Sequence, residues 1–165
     1  GMFAADIEEI ILNYRTCEFA TITKNNTPSA HPVTAWYTPG AESIMVTTSL
    51  GFPQKVYNIR RNPRVSLLFS NPTGSGVQSQ GMVSIQGDAR VDDTIACIEG
   101  LEDFWRRMLR WQPHAQTYHR TALGRYLVDW YYMRLRVYIT PRRVFYWASS
   151  DFTQNPVEIN FNHAD

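Results

Sequence analysis

The spacing of apolar residues at the start of the chain predicts an amphipathic helix. Apolar side chains recur three or four positions apart over residues 7–14, which places them on one helical face. Asp6 precedes Glu9 by three positions, and a pair with this spacing is typical of a capping box at a helix start. The pattern predicts a capped helix that ends near Arg15.

A change of period after residue 17 predicts a β-hairpin. Residues 19–23 are rich in β-branched and aromatic side chains, and an Asn-Asn pair at positions 25 and 26 separates them from a second extended run, residues 29–37. Pro32 has no backbone N–H to donate to a neighbouring strand. The second strand is therefore expected at a sheet edge or at a bulge.

The middle of the chain continues with short, alternating segments. Asn62-Pro63 is expected to end a helix that starts at Pro53, since proline suits a first helical position and restricts the residue before it. A polar stretch rich in Gly and Ser, residues 71–81, predicts a loop. The predicted elements are a third strand at 43–48, a helix at 53–61, a fourth strand at 64–70 and a fifth strand at 82–91.

The last third predicts two helices followed by two strands. Apolar positions step by three or four over residues 95–108, after a capping segment at 92–94. A second helical piece is expected at 116–127. Strict alternation over 132–139 predicts a sixth strand, and a turn at Thr140-Pro141 leads to a seventh at 144–147. The tail, residues 149–165, shows no strong period.

These elements predict an α+β protein with a mainly antiparallel sheet, most economically a six- or seven-stranded split barrel flanked by helices. We expect one domain over residues 2–148, with a helical insertion at about 93–127 and a C-terminal tail at 149–165. A chain of 165 residues is long enough to bury a core without a metal or a disulfide.

Charge and cysteine usage narrow the functional classes. The formal net charge of +1 is far from the basic excess of most nucleic-acid-binding proteins, so the basic and aromatic residues at 105–111 are expected to form an ordinary helix face.

Cys17 and Cys97 lie far apart, as in reduced, cytoplasmic proteins, and no apolar run is long enough for a membrane span. His114 and His119 are five positions apart, which does not suit a shared metal on a helix. We therefore expect no nucleic acid, no membrane and no metal.

One segment carries candidate chemistry. Thr47, Thr48 and Ser49 close a predicted strand, and Lys55 follows in the first turn of the next helix. An anion placed there would meet hydroxyl donors, free N–H groups at the helix start and a positive charge. This arrangement outlines a phosphate site, although short hydroxyl runs are also common in ordinary strands.

Several segments together resemble the pyridoxamine 5'-phosphate oxidase-related family of FMN-binding split barrels. The most specific piece is Asn-Pro-Arg-Val-Ser-Leu-Leu-Phe at 62–69, preceded by the hydroxyl run and Lys55. Residues 19–22, 31–34, 85–89 and 140–144 are similar to further strands of that family. The similarity covers most of residues 17–147 and leaves the tail unmatched.

The resemblance implies particular roles for eight residues. In that family, hydroxyl and basic groups hold the flavin phosphate, which implies Thr47, Thr48, Ser49 and Lys55 here. The second strand contacts the flavin ring, which implies His31, Val33 and Thr34. A glutamine before the fifth strand reaches the cofactor, which implies Gln80, and Met82 fits that position as well. The family binds its cofactor at the interface of a homodimer.

The resemblance implies an FMN-dependent oxidoreductase that acts on a small molecule, with no catalytic residue assigned. Pyridoxamine 5'-phosphate oxidases proper carry Ser-Arg-Lys where this chain has Pro53-Gln54-Lys55, and lysine where it has Trp36. Oxidation of vitamin B6 is therefore not expected. Two alternatives stay open: a reductase of the same fold that uses F420, and a flavin- or haem-binding protein without turnover.

Four arginines could place positive charge near the flavin. Arg134 and Arg136 share one strand face, and Arg142 and Arg143 follow the predicted turn. A cation near the flavin stabilises the anionic reduced form. The similarity of the turn to the family favours Arg142 or Arg143 for this role.

Overall fold

The computed structural model describes residues 2–49, 53–77, 80–96, 134–149, 151 and 153–161. Within these ranges seven strands and two helices form one antiparallel sheet with helical cover, which confirms the predicted fold class. The elements in chain order are α1 (Ala5–Asn13), β1 (Cys17–Ile22), β2 (Pro28–Val33), β3 (Ile44–Ser49), α2 (Gln54–Arg61), β4 (Arg64–Phe69), β5 (Met82–Ala96), β6 (Arg134–Trp147) and β7 (Val157–Asn160).

The sheet has the strand order β2-β1-β4-β5-β6-β3, and β7 pairs with β6. The predicted hairpin is confirmed as β1 and β2, joined by a turn in which Asn26 has a φ of 60°. Because β2 is an edge strand, Pro32 leaves no ladder hydrogen bond unmade.

The ends of the sheet are partly closed into a barrel by one backbone bridge. Trp36, three residues after β2, pairs with Met45 of β3. The Trp36 N–H donates to the Met45 carbonyl at 2.7 Å, and the Met45 N–H donates to the Trp36 carbonyl at 2.8 Å. We call this closure the seam. It joins the two outermost strands through a single bridge instead of a full ladder.

The core fills the inside of this barrel. Inward residues of every long strand are almost fully buried, and α1 adds three isoleucines from its apolar face. Burial at this level stabilises each large side chain by roughly 1.5–3 kcal/mol. The most deeply buried side chains include Tyr14, Phe19, Phe69, Ile10, Ile44, Leu67, Ile85, Ile139, Val46 and Val83.

The buried Asn58 fixes α2 against β1. Its side-chain amide donates to the Thr21 hydroxyl at 3.0 Å, and its side-chain oxygen accepts from Gln54 at 2.9 Å and from Arg61 at 3.0 Å. A buried amide with all these partners costs little to bury. The network therefore holds the helix that follows β3 in one position on the sheet.

The predicted turn at Thr140-Pro141 is wrong, because β6 continues through it. The register shifts between Gln86 and Gly87, so that Arg142 is an extra residue on β6 and the strand bends without ending. A side chain at Gly87 would collide with the Thr140 carbonyl oxygen, which explains the glycine at this bulge. The sixth and seventh predicted strands are thus one strand.

The bulge divides the β5–β6 hairpin into two parts. The first half, residues 82–86 with 143–147, has β4 on one side and β7 on the other. The second half, residues 88–96 with 134–140, has β3 beside β6. The observed seventh strand, β7, comes from the tail, where the sequence predicted no element.

Two helix starts also differ from the predictions. Ala4 is the N-cap of α1 and forms no side-chain cap, because Asp6 already lies in the first helical turn. The segment at 93–96 belongs to β5, where Ile95 pairs with Leu135 and Ala96 with Arg134. The predicted insertion helix therefore does not begin at 93. Its remainder and the helix predicted at 116–127 lie outside the described residues.

Candidate functional site

The predicted phosphate residues lie at the end of β3. Thr48 follows Ile44 and Val46 in strand alternation, and both Thr47 and Thr48 are buried. Neither threonine hydroxyl has a hydrogen-bond partner among the residues that the structure describes. Ser49 is the last residue of the strand. A hydroxyl donates one hydrogen bond and accepts others, so these side chains are suited to bind a polar group of a ligand.

Lys55 lies in the first turn of α2, and its side chain is half-buried. Pro53 is the N-cap, and four residues connect Ser49 to the start of α2. Such a connection spans at most about 18 Å. The first N–H groups of a helix have no partner within the helix and carry partial positive charge. The short connection therefore limits the distance between the hydroxyl run and the helix start.

The predicted ring-contacting residues lie at the edge of the sheet. His31 is exposed on β2, with its Nε2 3.2 Å from the Ser29 hydroxyl. Val33 ends the strand and packs in part against the core, and Thr34 follows it half-buried. No other strand covers the outer edge of β2 in the described part of the chain.

The seam brings these two groups of residues together. Because the bridge between Trp36 and Met45 is antiparallel, the chain runs back from Trp36 to Thr34 while β3 runs on from Met45 to Thr47. Thr34 and Thr47 therefore lie at the same end of the seam. Seven of the eight predicted residues are thus on the two chain segments that meet there or on the helix that follows.

The eighth predicted residue is in another part of the sheet. Gln80 is exposed just before β5, and Met82 is buried as the first residue of that strand, opposite Trp147. Three strand spacings separate β5 from β2 in the sheet order, or about 14 Å. One subunit therefore does not bring Gln80 or Met82 to its own β2.

Tyr14 fixes the backbone at the start of β5. Its hydroxyl donates to the Gly81 carbonyl at 2.5 Å, and the side chain is buried. Burial raises the pKa of Tyr14, and the neighbouring Tyr146 and Glu9 raise it further. The phenol therefore stays protonated and keeps donating to Gly81, the residue between Gln80 and Met82.

The four arginines considered as flavin cations fall into two groups. Arg134 and Arg136 are the cross-strand neighbours of Ser49 and Thr47 on β3. Arg142 pairs with Asp88 and Arg143 pairs with Glu158 at 2.8 Å, both near the bulge. The similarity of the turn to the family, which favoured Arg142 or Arg143, does not show which strand lies beside β6. Pairing between β3 and β6 places Arg136, together with Arg134, beside the predicted phosphate residues, and periodicity alone does not contain that information.

Metal and membrane chemistry receive no support from the described residues. No three His, Cys, Asp or Glu side chains lie close enough to share a metal in the ranges that the structure covers. Within the same ranges, no helix has the length and apolar character needed to cross a bilayer. His114, His119 and the basic and aromatic residues at 105–111 lie outside the described residues.

The partly closed antiparallel barrel, with hydroxyl and basic residues at its seam, defines a split-barrel protein with a candidate anion site. The family model described as pyridoxamine 5'-phosphate oxidase matches residues 3–147. The chain therefore belongs to the pyridoxamine 5'-phosphate oxidase family, as the sequence resemblance implied. No curated protein sequence is significantly similar to it.

Solved structures with the same fold carry different functional names. A pyridoxamine 5'-phosphate oxidase-related, FMN binding protein from Nostoc punctiforme is 10% identical, with a TM-score of 0.59 and coverage of 99% of this chain and 98% of that one. A protein named F420 reductase is 16% identical, with a TM-score of 0.55 and coverage of 83% and 94%. A haem binding protein from Mycobacterium smegmatis is 16% identical, with a TM-score of 0.58 and coverage of 97% and 60%. At these identities the likeness establishes the fold alone.

Proposed function

We propose that this protein is an FMN-dependent oxidoreductase that acts on a small molecule. The single observation that carries the proposal is the seam, which joins the end of β2 to β3 beside the start of α2. A bound flavin would supply the hydride and electron chemistry, while the protein supplies position and electrostatics. Pro53, Gln54 and Trp36 replace residues of the true pyridoxamine 5'-phosphate oxidases, so the substrate is a different small molecule.

The proposed phosphate site consists of Thr47, Thr48, Ser49 and Lys55. The hydroxyls of the two threonines lack partners among the described residues, and the helix start adds backbone N–H groups and a positive dipole end. Lys55 contributes a charge-assisted hydrogen bond, which is stronger than a neutral one. Arg136, across from Thr47, adds positive charge on the same side of β3.

The proposed ring site consists of His31, Val33 and Thr34. These residues lie on an uncovered sheet edge, where backbone N–H and C=O groups can bind the polar edge of a flavin. Val33 offers an apolar surface for the ring. Removal of the ring from water strengthens each of these polar contacts.

We infer that the active unit is a homodimer with the cofactor at the interface. The edge of β2 needs cover if it is to hold a ring away from water, and Gln80, Met82 and Trp147 lie too far along the sheet to provide it in the same subunit. A second copy can present that region to β2 of the first. The cytoplasmic location stays a prediction from cysteine usage.

The alternatives are an F420-dependent reductase and a flavin- or haem-binding protein without turnover. The first alternative is motivated by the protein named F420 reductase, and the second by the haem binding protein, both of which have the same fold. All would use the same seam, so the residues described above do not separate them. The cofactor itself must be identified.

The test is the mass and absorption spectrum of the ligand that copurifies with the full chain, followed by titration with FMN, F420 and haem. We expect FMN to copurify or to bind most tightly, with one flavin per subunit in a dimer by light scattering. Bound flavin should bleach on reduction and recover on addition of an oxidising substrate. Preferential binding of F420 or haem would replace the FMN proposal by the matching alternative.

A further inference from the structure

A second candidate site lies on the outer face of the sheet, away from the seam. A cavity of about 460 Å³ opens where β1, β4, β5 and β6 run side by side near the bulge. None of the eight predicted cofactor residues lines it. Its volume is within the usual range of small-molecule sites.

Side-chain size across neighbouring strands explains why this face is concave. Ala20 pairs with Ser66, and Ser66 pairs with Gln86. These residues alternate with the buried Val65, Leu67 and Ile85, so they point away from the core. The two small residues form a low floor, and longer side chains surround it.

The rim of the cavity is rich in arginine. Arg64, Arg142 and Arg143 line it, and Asp88 is the one acidic residue among the described residues that line it. The Arg64 guanidinium forms no hydrogen bond or ion pair with any residue in the described ranges, and its neighbour across the ladder is Asp88. The lining therefore has an excess of positive charge.

The two arginines that form ion pairs can leave their carboxylate partners at low cost. Arg142 pairs with Asp88 and Arg143 with Glu158, but both arginine side chains are about half exposed, at 50% and 51%. Solvent weakens ion pairs at such exposure. An incoming anion can therefore compete for these guanidinium groups at low cost.

We propose that this cavity binds a small organic anion that carries a phosphate or carboxylate group on an apolar body. Guanidinium groups bind both anions with two parallel hydrogen bonds. Ala20, Ile22 and Pro28 provide the apolar contact below them. The site is separate from the cofactor residues and does not depend on the cofactor's identity.

The test uses phenyl phosphate as the probe, titrated into the full chain with and without saturating FMN, by calorimetry and by amide chemical shifts. Inorganic phosphate and benzyl alcohol serve as the anionic and apolar parts alone. We expect phenyl phosphate to bind at least tenfold more tightly than either part, with shifts at Ser66 and Gln86. Binding should persist when FMN is saturating.

Four variants locate the probe. Arg64→Gln should weaken binding about tenfold, and Ser66→Leu should do so by filling the floor without removing a charge. Asp88→Asn should tighten binding, because it releases Arg142. Arg60→Gln, on the exposed surface of α2, removes the same charge outside the cavity and should change nothing.

Three outcomes would overturn the proposal. Phenyl phosphate that does not bind, or that binds no better than inorganic phosphate, rules out a site with an apolar floor. An equal loss in Arg64→Gln and Arg60→Gln shows a general charge effect. Loss of binding in Lys55→Ala, or competition by FMN, places the probe at the seam instead, and the proposed function is then untouched.

Discussion

The two halves of the β5–β6 hairpin are built from similar strands but are supported differently. The first half is flanked by β4 and β7, and its inward residues Val83, Ile85 and Val144 are fully buried. The second half has β3 beside it, and β3 reaches the other edge of the sheet only through the bridge to Trp36. Both halves bury their inward residues, such as Val137 and Ile139 in the second half. The first half has a neighbouring strand on each side, so the backbone groups left for a ligand lie beside the second half.

This difference explains where the candidate cofactor residues lie. A full ladder uses the hydrogen-bonding groups on the facing edges of both strands, so those edges have none left for a flavin. At the seam one bridge holds the strands in place, and the adjacent groups of Thr34 and Thr47 stay available. We therefore predict that substitutions in the first half change the stability of the fold, whereas substitutions at the seam change cofactor binding.

The largest effect on stability should come from a core change next to the first half. Leu67 is fully buried between β1 and β5, where it pairs with Phe19 and Ile85. Leu67→Ala should lower the free energy of unfolding by about 2–5 kcal/mol, because it leaves a cavity. Urea denaturation measures this loss. FMN affinity, measured on the fraction that stays folded, should not change. An equal loss of affinity would contradict the separation of fold stability from cofactor binding.

The bulge that separates the halves gives the next largest effect. Gly87→Ala pushes a Cβ against the Thr140 carbonyl, so it should cost about 1–3 kcal/mol of stability. Thermal unfolding provides the measurement. Ser84→Ala, on the outer face of the same strand, is the control and should be close to neutral. A neutral Gly87→Ala would show that the two strands do not approach this closely.

A smaller effect concerns the start of β5. Tyr14→Phe removes the hydrogen bond to Gly81 and should cost about 0.5–1.5 kcal/mol at neutral pH. Burial raises the pKa of Tyr14 above its value in the unfolded chain, about 10. The stabilisation that the protonated phenol provides is therefore complete below about pH 10 and is lost as the pH rises through the pKa of the folded state. Stability measured from pH 8 to 11 should therefore fall less steeply in Tyr14→Phe. An unchanged alkaline slope would contradict the assignment.

The smallest effect concerns the cation beside β3. Arg136→Gln should weaken FMN binding by about 1 kcal/mol or less, the interaction of two charges about 4 Å apart in water, and should lower the flavin reduction potential. Arg143→Gln removes an arginine on the same strand in the first half, where it pairs with Glu158. That variant should change neither quantity. The reverse result would restore the assignment suggested by the family-like turn.

Elements marked by a strong local sequence signal, such as a proline or a turn pair, were predictable from the sequence. Pro32 marked an edge strand, Asn62-Pro63 marked the end of α2, and the β1–β2 hairpin followed from its turn. The continuous β6 was not predictable. Pro141 has no N–H to donate, and within a strand proline is tolerated only beside an irregularity such as the bulge at Arg142. The segment before Ala96 was misassigned because its apolar spacing fits a helix as well as a bulged strand.

The candidate site was predictable only in part. Thr47, Thr48 and Lys55 lie close in sequence, so the phosphate grouping followed from the chain itself. The meeting of Thr34 with Thr47 depends on barrel closure, which no local pattern encodes. In β7, the alternation that buries part of Ile159 against the core could have been found, but four residues are a weak signal.

The most direct test of the account is a binding cycle with FMN and riboflavin on the wild-type chain and on Lys55→Ala. The two ligands differ by the phosphate, and the chain's other lysine, the exposed Lys24, provides the matched control Lys24→Ala. We predict that Lys55→Ala weakens FMN binding by about 1.5–3 kcal/mol, the range for a hydrogen bond to a charged group, and leaves riboflavin binding unchanged. Equal losses for both ligands, or no preference of the wild-type protein for FMN over riboflavin, would contradict a flavin phosphate at the seam.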